Sequence, residues 1–115
     1  MPKTREEVLQ LVREFHERLA DIYGERLKGV YLYGSHARGD AREDSDIDVA
    51  VVLAGPVNRR RESRRTSELI ADLSLRERCE LMPFFLSERE YRTGPYAVFR
   101  NIASEGVGES RANRK

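Results

Sequence analysis

The sequence predicts an α+β fold, a small mixed or antiparallel β-sheet flanked by helices. Three observations carry this. Val8, Leu11, Val12, Phe15, Leu19, Ile22 and Tyr23 recur at helical spacing and form one apolar stripe. Two short runs rich in β-branched and aromatic residues, 29–33 and 47–53, flank a Gly34-Ser35 turn. A second helical pattern then separates them from a third such run at 79–86. The order is helix, strand, turn, strand, helix, strand, helix, which places helices on a small sheet. At 115 residues the chain has the size of one domain, which buries about 65% of its unfolded surface in a single core. The expected domain spans 1–108, with 109–115 a flexible basic tail.

Thr4 with Glu7 makes a capping box that opens the first helix, and Gly24 stops it. His16 reads as a surface side chain of that helix. Gly29 to Tyr33 is a strand that Gly34-Ser35 breaks; Ser35 can cap a short helical turn that Gly39 ends. Residues 40–45 form a polar loop. Ile47 to Leu53 is apolar on both faces beyond Asp48, as a central strand is, and Gly55-Pro56 ends it. Arg59, Arg60, Arg61, Arg64 and Arg65 lead into a helix continued by Leu69, Ile70, Leu73 and Leu75. Pro83 favours an edge position for the third strand or a local break in its pairing. Ser87 with Glu90 is a second capping box, and Gly94-Pro95 starts a last helix with Val98, Phe99 and Ile102 inward.

Composition narrows the partners. With 21 basic and 20 acidic side chains the chain is close to neutral, which does not favour nucleic acid as a partner, although the arginine run leaves a local patch open. Cys79 is the single cysteine, so neither an internal disulfide nor a cysteine-based zinc site can form. Neither a signal core nor an apolar run of about 18 residues is present. The expectation is a cytoplasmic protein without a membrane partner.

Asp46 and Asp48 stand two apart on a strand, so both project from one face with Cα atoms roughly 6.6 Å apart. At an effective dielectric near 20, two like charges ~4 Å apart repel by about 4 kcal/mol. Such a pair calls for a cation or a shared proton, and hard oxygen ligands select Mg²⁺ or Mn²⁺. Two ions is the fullest reading. Gly34 lets backbone approach a ligand, the turn amides suit an anion, and the Ser35 hydroxyl can donate to phosphate. Arg38 offers a planar fork to phosphate, or a partner for Asp40 or Asp44. One end of the stretch thus suits phosphates and the other metals, the pairing that phosphoryl or nucleotidyl transfer uses. Glu80, at the start of the third strand, is the candidate third carboxylate, either a metal ligand and base or an exposed strand acid. The arginine run reads either as a solvated helix start or as a patch for RNA, a triphosphate or an acidic partner.

Gly34-Ser35 and Asp46-Ile47-Asp48, with the Gly-Ser-His-Ala-Arg-Gly form of the turn, resemble the signature of the DNA polymerase β-like nucleotidyltransferases. In so short a chain they resemble the minimal nucleotidyltransferase (MNT) group, including its MntA-type antitoxins. The resemblance is strong over about residues 28–54. It implies the nucleotidyltransferase fold, Mg²⁺, and a nucleoside triphosphate, with ATP as donor. It implies that Gly34, Ser35 and Arg38 bind the nucleotide, and that Asp46, Asp48 and Glu80 form the catalytic and metal set. The family's third acid is usually aspartate, and Glu80 departs from that. In the antitoxin branch the resemblance implies transfer of AMP to a HEPN-domain toxin, a partner chain supplying the acceptor. A non-catalytic antitoxin that acts by binding, and a small-molecule or RNA nucleotidyltransferase, remain open beside it.

Overall fold

The computed structural model describes residues 3–42 and 46–94 and the backbone of 107–110. Helix α1 runs over Arg5–Tyr23. Its capping box forms as expected: the Glu7 N–H donates to Thr4 Oγ1 at 3.1 Å and the Thr4 N–H to Glu7 Oε1 at 2.8 Å. The stripe of Val8, Leu11, Val12, Phe15, Leu19 and Tyr23 is buried. Two positions correct the sequence expectation. His16 is only 3% exposed, whereas Ile22 is 39% exposed. The reason is helical geometry: His16 lies four residues after Val12 and three before Leu19, on the buried row, while Ile22 is turned about 100° from Tyr23.

Strand β1 (Leu27–Tyr33) follows a 3₁₀ turn at Gly24–Arg26. A short helix α2 (Ser35–Arg38), strand β2 (Ile47–Leu53), helices α3 (Arg59–Arg65) and α4 (Ser67–Glu77), strand β3 (Leu81–Ser87), helix α5 (Glu88–Thr93) and strand β4 (Val107–Ser110) complete the order. The sheet runs β3-β2-β1-β4. β1 is antiparallel to β2 and to β4, and β3 is parallel to β2, so of the two sheet types the sequence left open the mixed one forms. β2 is central, as its apolar run predicts.

Alternation along β2 divides the core. Ile47, Val49, Val51 and Leu53 join Val30, Leu32, Leu81 and Phe85 beneath α1 and the Leu69 and Leu73 side chains of α4. Ala50, Val52 and Leu86 are buried on the opposite face with Tyr31, Tyr33, Phe84 and Tyr91 around them. Tyr91 of α5 stacks on Tyr31 with ring centroids 5.1 Å apart.

The expected single helix after the arginine run is broken at Thr66, whose buried hydroxyl donates to the Glu62 carbonyl at 2.9 Å. Asn58 caps α3 by accepting from the Arg61 N–H at 3.1 Å. Leu75, expected in the stripe of α4, is 80% exposed. Glu62 is 3% exposed and accepts the Tyr23 hydroxyl at 2.7 Å, which ties α3 to α1.

β4 is absent from the sequence expectation, which starts a tail at Glu109. Glu109 and Ser110 instead pair with Val30 and Gly29 of β1. Val-Gly-Glu-Ser has almost no strand signature, and its place comes from backbone pairing with an open edge rather than from side-chain pattern. The helix expected from Gly94-Pro95, with Val98, Phe99 and Ile102, lies outside the described residues, as do residues 111–115.

Candidate active site

The chain leaves β1 at Gly34 with φ +78° and ψ −154°, a conformation that side chains rarely adopt. A Cβ placed there would lie 2.5 Å from Asp48 Oδ2. The cause is register. Tyr33 and Asp48 are Cα partners at the end of the β1–β2 ladder, so the turn that follows Tyr33 folds directly against the Asp48 carboxylate. Glycine is the residue that leaves room for both.

Gly34, not Ser35, is the N-cap of α2, and no side-chain hydrogen bond caps the helix. This corrects the expectation that Ser35 caps the turn. Ser35 is its first helical residue and is half-buried. α2 is fixed by its carbonyls: Gly39 donates its N–H to the Ser35 carbonyl at 3.0 Å, and Arg5 Nη1 of α1 donates to the His36 and Ala37 carbonyls at 3.3 and 3.4 Å. Arg38 Nε donates to Asp40 Oδ2 at 3.3 Å, both side chains being exposed. Of the two roles the sequence offers Arg38, its pairing with Asp40 is thus present.

Asp46 is exposed and immediately precedes β2, whereas Asp48 is half-buried within it. Asp48 shares the face of Ala50 and Val52, opposite the helix-covered core. Glu80 is exposed and immediately precedes β3, and its carbonyl accepts the Ile47 N–H at 2.8 Å. The β2–β3 register pairs Ile47 with Leu81 and Asp48 with Met82. Continued one step, it sets Glu80 beside Asp46, on the face of the acids. The structure therefore brings Gly34 against Asp48 and Glu80 alongside the paired aspartates. It does not gather all three carboxylates, since among the described residues no group of three or more His, Cys, Asp or Glu is close enough to hold a metal ion. Burial pushes the Cys79 thiol beside Glu80 up from its ordinary value, so it packs as a neutral thiol.

Met82 and Tyr33 flank Asp48 in the sheet, and both escape sequence reasoning because strand register is not written in local pattern. Two members of the arginine run make contacts within the chain that neither reading of the sequence included. Arg59 lies 5.0 Å over the Phe84 ring and pairs with Glu90 of α5 at 3.0 Å. Arg65 lies 5.6 Å over the Tyr23 ring and 3.9 Å from Glu62. Arg60, Arg61 and Arg64 are exposed. No helix among the described residues is long and apolar enough to cross a membrane.

Comparison with known proteins bears on the family and the fold. A Methanocaldococcus jannaschii protein named "Putative protein adenylyltransferase MJ0141" is 38% identical over 47 residues, 41% of this chain and 48% of its own length. The chain thus spans about half the length of that curated relative. A crystal structure of a "putative nucleotidyltransferase" from Sulfolobus solfataricus aligns over 95% of this chain and 86% of its own, at 26% identity and a TM-score of 0.68. A toxin–antitoxin structure with AMP-PNP shares the fold over 96% of this chain and 77% of its own, at 18% identity and a TM-score of 0.55. The family model of the nucleotidyltransferase domain matches residues 12–101, and the chain belongs to that family.

Proposed function

We propose that the chain transfers a nucleotide, AMP from ATP, to a hydroxyl on a partner protein, and that it acts as an antitoxin toward a HEPN-domain toxin. The observation that carries the reading is the packing of the Gly34 turn on Asp48. A phosphate held by that turn lies next to the carboxylate best suited to a hard cation. Asp46, Asp48 and Glu80 are the residues that would hold Mg²⁺ or Mn²⁺ once their carboxylates draw closer than they stand here, and a bound ion would neutralise charge building on the phosphates. Gly34, the Ser35 hydroxyl and Arg38 hold the triphosphate. Glu80 takes the proton from the acceptor hydroxyl. The acceptor's hydroxyl oxygen forms a bond to the α-phosphorus, the bond from that phosphorus to the bridging oxygen breaks, and pyrophosphate leaves. The protein-acceptor reading is supported by the names of the adenylyltransferase relative and the toxin–antitoxin neighbour. A cytoplasmic setting, where ATP and Mg²⁺ are at hand, belongs to the same reading.

Incubation with α-labelled ATP, Mg²⁺ and a HEPN protein encoded beside it tests this. Label should reach the partner with wild type and fall at least a hundredfold with Asp46→Asn or Asp48→Asn. Equal labelling by both variants would remove the catalytic claim. The open spacing of the three carboxylates favours one second reading, an antitoxin that neutralises by binding alone. Asp48→Asn separates them, because a binding module still neutralises its toxin without it.

A further inference from the structure

The order of the strands gives the proposed site a direction. Gly34 and Ser35 stand at the end of β1, the aspartates on β2, and Glu80 and Met82 on β3, with β2 in the middle. β1 and β3 are therefore about 10 Å apart across the acids. In-line displacement puts the leaving pyrophosphate and the attacking hydroxyl on opposite sides of phosphorus. With pyrophosphate at the β1 end, the acceptor enters past β3.

A cleft of about 480 Å³ lies there, between the open edge of β3 and helices α3 and α4. Ser67, Ile70 and Ala71 form one wall, and Glu80, Met82 and Pro83 the other. Met82, the neighbour of Asp48, is 44% exposed, and with Glu80 it forms the rim between the cleft, on the α4 side, and the acids on the other face of the sheet. Glu80 is the one charged residue among the described residues that line it. A nucleic-acid acceptor would meet a basic wall and a polycationic small molecule an acidic one; this wall is apolar with a hydroxyl rim.

The edge itself is poorly suited to a strand as occupant. Ile47 donates to the Glu80 carbonyl, and in a parallel ladder alternate residues bond, so Leu81, Pro83, Phe85 and Ser87 turn their backbone groups outward. The Leu81 N–H is spent on Ser74 Oγ at 3.3 Å, the Ser87 N–H on Glu90 Oε1 at 2.9 Å, and Pro83 has none. Of these four positions Phe85 alone is left to offer an N–H, so the edge lacks the run of donors that strand addition needs.

Resting on the transferase reading above, we infer that this cleft docks an apolar, uncharged segment of a partner protein by its side chains, delivering a side-chain hydroxyl over Met82 to Glu80 and Asp48. The test uses the 115-residue chain and an array of short peptides, each with one central Tyr, Ser or Thr in apolar or charged flanks. Peptide binding, label transfer from ATP and binding of a fluorescent ATP analogue with Mg²⁺ are read separately. Apolar-flanked peptides should bind and be labelled at least tenfold better than charged ones. Ala71→Trp, a filling substitution at an exposed helical position, should cut peptide binding at least tenfold and leave analogue affinity and melting temperature unchanged. Peptides that bind wild type but not Ala71→Trp and receive no label would keep the docking surface and remove the transferase reading. Equal behaviour of Ala71→Trp and wild type, a preference for charged flanks, or no peptide binding by a chain that binds the analogue would overturn the docking surface.

Discussion

Replacing Gly34 by alanine tests whether the turn and Asp48 are one unit. The change has two separable costs. Holding a non-glycine residue at φ +78° and ψ −154° strains the backbone by about 1–3 kcal/mol. The added Cβ also meets Asp48 Oδ2 at 2.5 Å and Asp48 Cβ and Cγ at 3.4 Å. The carboxylate is the end of a side chain and can rotate away, off its rotamer, at about 0.5–1.5 kcal/mol. Together the substitution should cost about 1.5–4.5 kcal/mol, and for a chain of this size each kcal/mol lowers the melting temperature by about 3–6 °C. Gly39→Ala is the control. Gly39 has φ +86° with nothing within 4 Å of its Cβ position, so it carries backbone strain of about 1–2 kcal/mol and no collision. The deciding measurement is a double-mutant cycle by denaturant unfolding. In an Asp48→Ala background the collision disappears, so Gly34→Ala should cost about 0.5–1.5 kcal/mol less than in wild type. Gly39→Ala should cost the same in both. In the proposed function, the rotated carboxylate also weakens binding of a fluorescent ATP analogue with Mg²⁺ by at least tenfold in Gly34→Ala alone. Additivity of Gly34→Ala with Asp48→Ala to within about 0.3 kcal/mol would refute the coupling.

Other predictions concern the helix-covered side. Tyr23→Phe leaves buried Glu62 without its hydroxyl donor and should cost about 1–3 kcal/mol in denaturant unfolding; Glu62→Gln added to it should cost less than the two separate losses summed. Burial raises the Tyr23 phenol above its ordinary value. The unfolded chain therefore loses this proton first, and stability falls as pH rises past about 10, a slope that Tyr23→Phe should reduce. Hydrogen bonding from Arg76 lowers Glu14, and hydrogen bonds from Lys3 and Arg76 lower Glu77. Their contribution is present above the ordinary carboxylate value of 4.5 and is lost as pH falls below it. Melting curves from pH 6 downward should be flatter for Arg76→Ala than for wild type at low salt, and the two should converge at about 1 M salt, where the Debye length is near 3 Å.

Local chemistry wrote the element ends into the sequence. Thr4 with Glu7 and Ser87 with Glu90 form both capping boxes because each needs only neighbours on its own helix. Pro83 pointed to an edge or a break in pairing because it cannot serve a central ladder, and β3 is at the sheet's edge. Features set by distant partners were not legible. Glu62 looks like any acid of an arginine-rich helix until Tyr23 is brought to it from 39 residues away. β4 exists through the backbone edge of β1 and left almost no pattern in its own residues. His16 looked exposed because polarity outweighed its position on the row of Val12 and Leu19.

The side that Glu80 faces is a more instructive case, because it is set by residues that are not part of the candidate site. Leu81 and Phe85 are 2% and 1% exposed on the helix-covered face. With side chains alternating, their burial turns Glu80, Met82 and Phe84 to the face of Asp48. A slip of one residue would bring Glu80 into the core and Leu81 beside the aspartates, exposing two large apolar side chains and burying an unpaired carboxylate. Each of those side chains contributes about 1.5–3 kcal/mol when buried. The burial of Leu81 and Phe85 thus holds Glu80 on the side of Asp46 and Asp48. The apolar spacing 81 and 85 was already visible in the sequence, but its meaning for Glu80 required knowing which face of β3 the helices cover.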